Sequence, residues 1–218
     1  TTMTALSLSP AIWMGPTEYV HAIGSWFGHT WPAVEEPDPS QGVLGEEPVQ
    51  NISLRPALAR YLMHLPEGHR SRLKHPLYFD VFNFRPAVAG FIVKILMAAL
   101  LATVAWKFRN PVGRRDDPVI LWECAAISVI ILLCSPITWG QHCVGVLPAF
   151  YLITQTLFAR GGLPGWMNWL LGAYTFFILG LNRSFVGKEF TLLLDSYRVH
   201  TWCFFALLLL LVGCRSRS

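Results

Sequence analysis

Charged residues are scarce in this chain. Of its 218 residues, 14% are Asp, Glu, Lys or Arg, and the mean hydropathy is +0.43, whereas roughly a quarter of the residues of soluble domains are charged. The scarcity argues against a cytosolic globular protein. The 53% of hydrophobic residues excludes a disordered or collagen-like chain. A membrane protein is the class that remains, and nine Trp and fourteen Phe suit a membrane interface.

Several sequence motifs of soluble enzymes are also missing. The chain has no P-loop, no GxGxxG, no HExxH and no EF-hand pattern, which argues against an ATPase, a Rossmann dehydrogenase and a zinc protease. Its five cysteines lie in or beside apolar runs without a CxxC pair, so we interpret them as small buried hydrophobic residues. The net charge of +4 is weak support for nucleic acid, and we expect neither a nucleic-acid partner nor a metal site.

The charges divide the chain into two parts. Residues 1–85 hold eight of the thirteen acids and five of the seven His, and residues 86–218 hold nearly all the long apolar runs. We therefore predict an extracytoplasmic or interfacial region of loop and amphipathic helices over 1–85, followed by a transmembrane helical bundle over 86–218. The chain starts Thr1-Thr2-Met3, which leads us to expect a fragment of a longer protein.

Five apolar runs predict membrane-spanning helices, and the fold class is all-α. The expected spans are 86–106, 118–134, 143–158, 164–181 and 199–214, of which the first crosses a bilayer of about 30 Å comfortably and the others are near the lower limit. The short loops on one side of these spans carry seven Lys or Arg against three on the other. The positive-inside rule puts the seven in the cytoplasm, so residues 1–85, 135–142 and 182–198 would meet at the outer face.

The region before the spans contains helix signals. A short helix is expected over 18–27, an exposed loop over 32–48, and an amphipathic helix from about Leu54 to Leu65. Ser53 is a plausible N-cap of that last helix, with Pro56 in its first turn. A helix with this pattern is able to lie on a membrane surface.

Two segments carry residues suited to chemistry. The first is Asn51-Ile52-Ser53-Leu54-Arg55, followed by Arg60, and the second is Ser135-Pro136-Ile137-Thr138-Trp139-Gly140-Gln141-His142. The stretch SPITWGQHCVGVLP resembles the SPISWxHHxxxLLP signature of the polyprenol-phosphate-mannose-dependent mannosyltransferases, glycosyltransferase family 87. The stretch QNISLRPALARYL resembles the NQSLxxxLxRLL segment that precedes that signature in the family, in the same order along the chain.

This resemblance implies a C-type glycosyltransferase fold, of which the chain would be the C-terminal half. It implies transfer of mannose or a related hexose from a polyprenyl-phosphate donor to a lipid or glycan acceptor, at the outer face of a bacterial plasma membrane, without a further cofactor. The chain departs from the family pattern at Ile52 and Gln141, where Gln and the first His of a pair are usual. Such enzymes carry an acidic catalytic residue in an earlier loop, and we expect that residue to belong to an N-terminal half outside this chain, so that activity requires the full-length protein.

Each residue of the two segments has a role under this hypothesis. His142 would be catalytic, donating to the departing phosphate or handling a proton. The other expected substrate contacts are Asn51, Ser53 and Gln141 to sugar hydroxyls, Arg55 and Arg60 to the phosphate, and Trp139 to a sugar face or the isoprenoid.

Plainer interpretations of the same residues stay open. Asn51 and Ser53 are good helix caps, Arg55 and Arg60 suit lipid headgroups, Trp139 suits an interface, and His142 suits the end of a span. Lys94 and Glu123 lie within expected spans and are weaker functional candidates. The rival function is a non-catalytic membrane subunit that keeps the fold and binds isoprenoid lipid. A transporter would predict inverted repeats or polar residues along successive spans, and neither is evident.

Overall fold

The chain is mostly helical. The computed structural model describes residues 10–43, 45–72, 80–110, 117–181 and 183–215. In the first part, helix α1 covers Pro16–Glu35, a short antiparallel ladder pairs β1 (Gln41–Gly42) with β2 (Gly45–Glu46), and α2 covers Leu54–Leu62. In the second part lie α3 (Pro86–Lys107), α4 (Val119–Cys134), a 3-10 helix (Gly140–Val146) leading into α5 (Leu147–Ala159), α6 (Gly165–Thr175) with a π-helical extension (Phe176–Gly180), α7 (Arg183–Ser196) and α8 (Val199–Arg215).

Helix α8 is the centre of the apolar core. It packs against α4, α5 and α6. Leucines and other apolar residues recur along it at helical spacing and are buried from one end to the other: Cys203, Phe204, Leu207, Leu208, Leu210, Leu211 and Cys214. A helix that is apolar on most of its faces is typical of a protein core or a membrane span, and α4, α5 and α6 cover it here.

Some of these helices are suited to a membrane. By length and composition Pro86–Lys107 and Gly140–Ala159 are able to cross a bilayer, and a third crossing results if Gly165–Gly180 and Arg183–Ser196, which meet at 101°, form one bent span. The other two apolar helices, Val119–Cys134 and Val199–Arg215, are shorter. The prediction of a helical membrane protein agrees with these lengths, whereas the count of five spans is not confirmed.

Two expected elements of the first part differ in extent or place. Helix α1 is longer than the expected 18–27 and runs through Pro32, so the loop begins only after Glu35. Helix α2 forms where Ser53 and Pro56 predicted it, but seven of its nine residues are buried against the rest of the protein. It is therefore an internal helix, because α3 and α4 pack on it. Residues 73–79, the basic loop positions 111–116 and Asn182 lie outside the described residues.

The loop after α1 lies close against helix α3. A Cβ atom on Gly90 would overlap the backbone carbonyl of Pro37, so the absence of a side chain at Gly90 is what allows this approach. Lys94, one turn further on, donates from Nζ to the Glu35 carbonyl at 3.2 Å. Lys94, which was expected inside a membrane span, thus bonds to the end of α1. Together with the close approach at Gly90, this bond holds the start of the loop that leads to the first motif segment.

Candidate functional site

The two motif segments meet in the structure. The Asn51 amide donates from Nδ2 to the Pro136 carbonyl at 2.9 Å, and its Oδ1 accepts from the Thr138 N–H at 2.9 Å. Beside this pair the Ile52 N–H donates to the Thr138 carbonyl at 2.7 Å. The bonded residues are 85 to 87 positions apart in the sequence, and backbone and side-chain bonds join the two segments directly.

Buried polar side chains surround this contact, and we call them the polar junction: Glu47, Asn51, Ser71, Thr138, Arg198 and Thr201, all less than a tenth exposed. The Arg198 guanidinium donates to the Val49 and Asn51 carbonyls, both at 2.7 Å, and to Ser71 Oγ at 3.0 Å. Thr201 Oγ1 donates to the Ile52 carbonyl at 2.7 Å. The junction therefore ties the start of α8 to both motif segments.

Burial sets the electrostatics of the polar junction. Desolvation raises the pKa of Glu47 above its ordinary value, against the opposing effects of the Asn51 hydrogen bond and the Arg198 charge. Desolvation also lowers the pKa of Arg198 to about 10, although Glu47 counteracts it. Each charge is thus costly to bury, and the electrostatic attraction between the two groups offsets part of that cost.

Four of the residues expected to contact substrate are buried within the protein. Asn51 and Ser53 are 1% and 0% exposed. Arg55 donates from Nη2 to the Glu36 and Asp38 carbonyls, and Arg60 donates from Nε to the Ser196 carbonyl at 3.0 Å. These hydrogen bonds of Arg55 and Arg60 connect α2 to backbone carbonyls of other segments, and neither arginine lines the motif residues' cavity described below.

The helix-capping interpretation of Ser53 holds for its position but not for its side chain. Ser53 occupies the N-cap position of α2, yet its side chain makes no capping hydrogen bond, and its buried Oγ has no partner among the described residues. Asn51 Oδ1 instead accepts from the Ser53 N–H at 3.2 Å while bridging to Thr138. The amide of Asn51 serves the contact between segments, which sequence position alone did not reveal.

The three remaining predicted residues line one cavity. Trp139, Gln141 and His142 border a space of about 720 Å³ that we call the motif cavity. Helix α1 contributes Trp26, His29 and Thr30 to the same space. Sequence reasoning missed these three, although their spacing of three and four residues puts them on one face of a helix and was the available signal.

The backbone fixes the proton positions of both imidazoles in the motif cavity. The Trp139 N–H donates to His142 Nδ1 at 3.1 Å, so in the neutral ring Nε2 carries the proton and is a donor. His29 Nδ1 lies 2.7 Å from the Ser25 carbonyl, which only accepts, so Nδ1 carries the proton and Nε2 is an acceptor. The cavity therefore offers one imidazole donor and one imidazole acceptor.

A second cavity, of about 690 Å³, adjoins the same motif segment. It lies among α5, α6, the π-helical extension, α7 and α8, and we call it the α5–α8 cavity. Gly140 and Cys143 line it from the 3-10 helix, and Ile52 lines it from the first segment. Asp195 and His200, which the sequence analysis did not select, form its polar end with Nδ1 and Oδ1 3.3 Å apart.

Neither a metal site nor a known relative helps to assign these cavities. Among the described residues, no three His, Cys, Asp or Glu side chains come together as metal ligands would. Comparison with protein families, with curated proteins and with solved structures found no match to this chain. The geometry of the cavities and the motif residues is therefore what a functional proposal rests on.

Proposed function

We propose that the chain is the C-terminal half of a C-type membrane glycosyltransferase, resembling glycosyltransferase family 87, which transfers mannose or a related hexose from a polyprenyl phosphate to a lipid or glycan acceptor. The reaction would take place at the outer face of a bacterial plasma membrane. The observation that carries the proposal is the motif cavity, because three residues selected from sequence as substrate contacts border one space. The direct contact between the two motif segments supports it.

The composition of the motif cavity suits a sugar attached to a lipid phosphate. Two indoles, Trp26 and Trp139, provide flat apolar surfaces, and Gln141 and Thr30 provide hydrogen-bonding groups for hydroxyls. Ile130, Ile131 and Ile137 add apolar surface for an isoprenoid. A mostly apolar space with a few polar groups is the usual character of a small-molecule site.

The imidazoles of the cavity have complementary roles in this reaction. As the bond between the sugar C1 and the phosphate oxygen breaks, negative charge grows on the phosphate, and a hydrogen bond from His142 Nε2–H stabilises it. As the new bond from C1 to the acceptor oxygen forms, the hydroxyl proton passes to a base. The unprotonated Nε2 of His29 is the acceptor that the cavity supplies.

Transfer from radiolabelled polyprenyl-phosphate-mannose tests the proposal, in membranes that express the full reading frame. We expect His142→Ala to lower the rate about 10²- to 10³-fold, as loss of a preorganised donor does elsewhere. Trp139→Ala should also lower transfer. His21→Ala and Trp169→Ala are matched controls, because both side chains are exposed and neither borders the motif cavity.

The rival function predicts a different pattern. Saturable binding of polyprenyl phosphate without transfer to any of several acceptors would favour the non-catalytic subunit over the enzyme. Transfer that survives in His142→Ala at an unchanged rate would keep the enzyme and remove His142 from its site. Equal losses in the variants and in the His21 and Trp169 controls would show a general effect on folding and would contradict the assignment of the motif cavity.

A further inference from the structure

The α5–α8 cavity is open towards the outside of the helical bundle. Val144, Leu147 and Leu179 border it and are 67%, 59% and 60% exposed. In a membrane protein such apolar residues face lipid. A molecule that enters between them comes sideways from the bilayer, so the expected occupant is itself a lipid.

The deeper lining of the cavity suits an apolar chain. Val146, Phe150 and Phe204 contribute to it, and Phe204 belongs to the buried core. No Lys or Arg is among the described residues that line the cavity. The hydrophobic gain from covering this surface supplies the binding free energy, and the polar groups at one end select the head group.

Charge at the polar end decides which head group fits. With His200 neutral, the Asp195–His200 pair carries a net charge of −1, and with His200 protonated it carries none. In neither state does the pair carry the net positive charge that would bind a phosphate head group. Moving an ammonium head group from water into this apolar cavity is unfavourable, because the Asp195 carboxylate that would bind it already bonds His200.

A hydroxyl group meets these conditions. Asp195 Oδ1 holds His200 Nδ1 at 3.3 Å, which leaves Nε2 of His200 to bond a ligand. Gln50 lies at the same cavity with an amide that both donates and accepts. Thr191 Oγ1 donates to the Gly187 carbonyl, so its lone pairs are available to accept.

We propose that the α5–α8 cavity binds a lipid alcohol, a long apolar chain with a neutral hydroxyl head, and that the hydroxyl bonds His200 Nε2. The apolar chain lies along Phe150 and Val146 and leaves the bundle past Leu147. This site is separate from the motif cavity and does not depend on the proposed transfer reaction.

Photolabelling in lipid nanodiscs tests this site. The probe is a long-chain alcohol with a diazirine in its chain, and the competitors are the unlabelled alcohol, its phosphate ester and the corresponding amine. We expect saturable labelling of residues that line the cavity, with the alcohol competing at least about tenfold better than the phosphate or the amine. His200→Ala should weaken labelling by about tenfold, the loss of roughly one hydrogen bond.

A second pair of variants distinguishes a blocked cavity entrance from misfolding. Leu147→Trp fills the opening at a position that is already 59% exposed, and Leu121→Trp is its control at the same exposure outside the cavity lining. Labelling should fall only in Leu147→Trp, with equal melting temperatures for both variants. Better competition by the phosphate or the amine, labelling that does not saturate, or equal labelling of both variants would overturn the proposal.

Discussion

Arg198 is the residue whose replacement should destabilise the protein most. It is 3% exposed and lies in the turn between α7 and α8, where its φ of 55° is in the left-handed region. A non-glycine residue there costs roughly 1–2 kcal/mol. Its side chain bonds the carbonyls of Val49 and Asn51, and these bonds offset that backbone strain.

The magnitude follows from the groups that would be left behind. Removal of the guanidinium from Arg198 leaves the two carbonyls at 2.7 Å, a third at 3.3 Å and Ser71 Oγ without this donor. It also leaves Glu47 buried without the charge that counteracts its desolvation. Hydrogen bonds to a charged group contribute about 1.5–3 kcal/mol each but are not additive. The two bonds at 2.7 Å are the strongest of the set, and from them we expect Arg198→Ala to lower the free energy of unfolding by about 3–5 kcal/mol.

Comparison of two variants separates the side chain from the backbone. Arg198→Gly loses the same hydrogen bonds but adopts φ 55° without strain, so it should be about 1 kcal/mol more stable than Arg198→Ala. Arg198→Lys keeps the charge but not the planar arrangement of donors, and should recover only part of the loss.

Unfolding by denaturant in detergent micelles measures these differences as changes in the free energy of unfolding. Arg183→Ala is the matched control, since Arg183 is exposed and should change stability by less than about 0.5 kcal/mol. A loss below about 1 kcal/mol in Arg198→Ala would refute the reasoning. So would a glycine variant that is less stable than the alanine variant, because the left-handed backbone would then not be the source of strain.

The remaining predictions concern the surroundings of Arg198. Asn51→Asp exchanges an amide that donates to Glu47 and Pro136 for a carboxylate, so the free energy of unfolding should fall by about 2–3 kcal/mol at pH 7, with partial recovery in acid where the carboxyl is protonated. Burial raises the pKa of Glu47 above 4.5, so the protonated carboxyl is favoured in the folded state. The contribution of Glu47 to the free energy of unfolding is therefore complete below pH 4.5 and is lost as pH rises through the folded-state pKa. In unfolding curves measured over a pH series, Glu47→Gln should abolish this loss of stability. Gly90→Ala should lower the melting temperature through overlap with the Pro37 carbonyl, whereas Gly172→Ala, with no atom within 4 Å of the added Cβ, should raise it slightly.

Local signals in the sequence predicted the helices well, because they depend on neighbours. Ser53 and Pro56 marked the start of α2, and apolar spacing marked α8. The burial of α2 was not predictable in the same way. Its arginines suggested contact with a substrate phosphate or with lipid headgroups, but Arg60 bonds the carbonyl of Ser196, 136 residues away. A hydrophobic pattern does not show which distant carbonyls will meet a buried guanidinium.

The sequence also predicted only those residues of the motif cavity that are neighbours along the chain. Trp139, Gln141 and His142 lie within one short stretch, so whatever brings one of them to a cavity brings all three. His29 and Asp195 come from separate helices and carry no motif. The capping and functional interpretations of His142 also prove compatible, because Nδ1 accepts from the Trp139 N–H while Nε2 stays available to a ligand.

The short helices of the bundle fit a membrane protein because of what lies at their ends. Helix α8 has 17 residues and is about 25 Å long, less than the roughly 30 Å of a hydrocarbon core. A helix shorter than the hydrocarbon core would leave the polar groups at one of its ends among lipid chains, without hydrogen-bonding partners. At its first turn α8 meets Arg198 and Thr201, which are buried and bonded to the first motif segment. The polar junction thus supplies hydrogen-bonding partners inside the protein, and α8 has no need to reach the headgroups to satisfy that end.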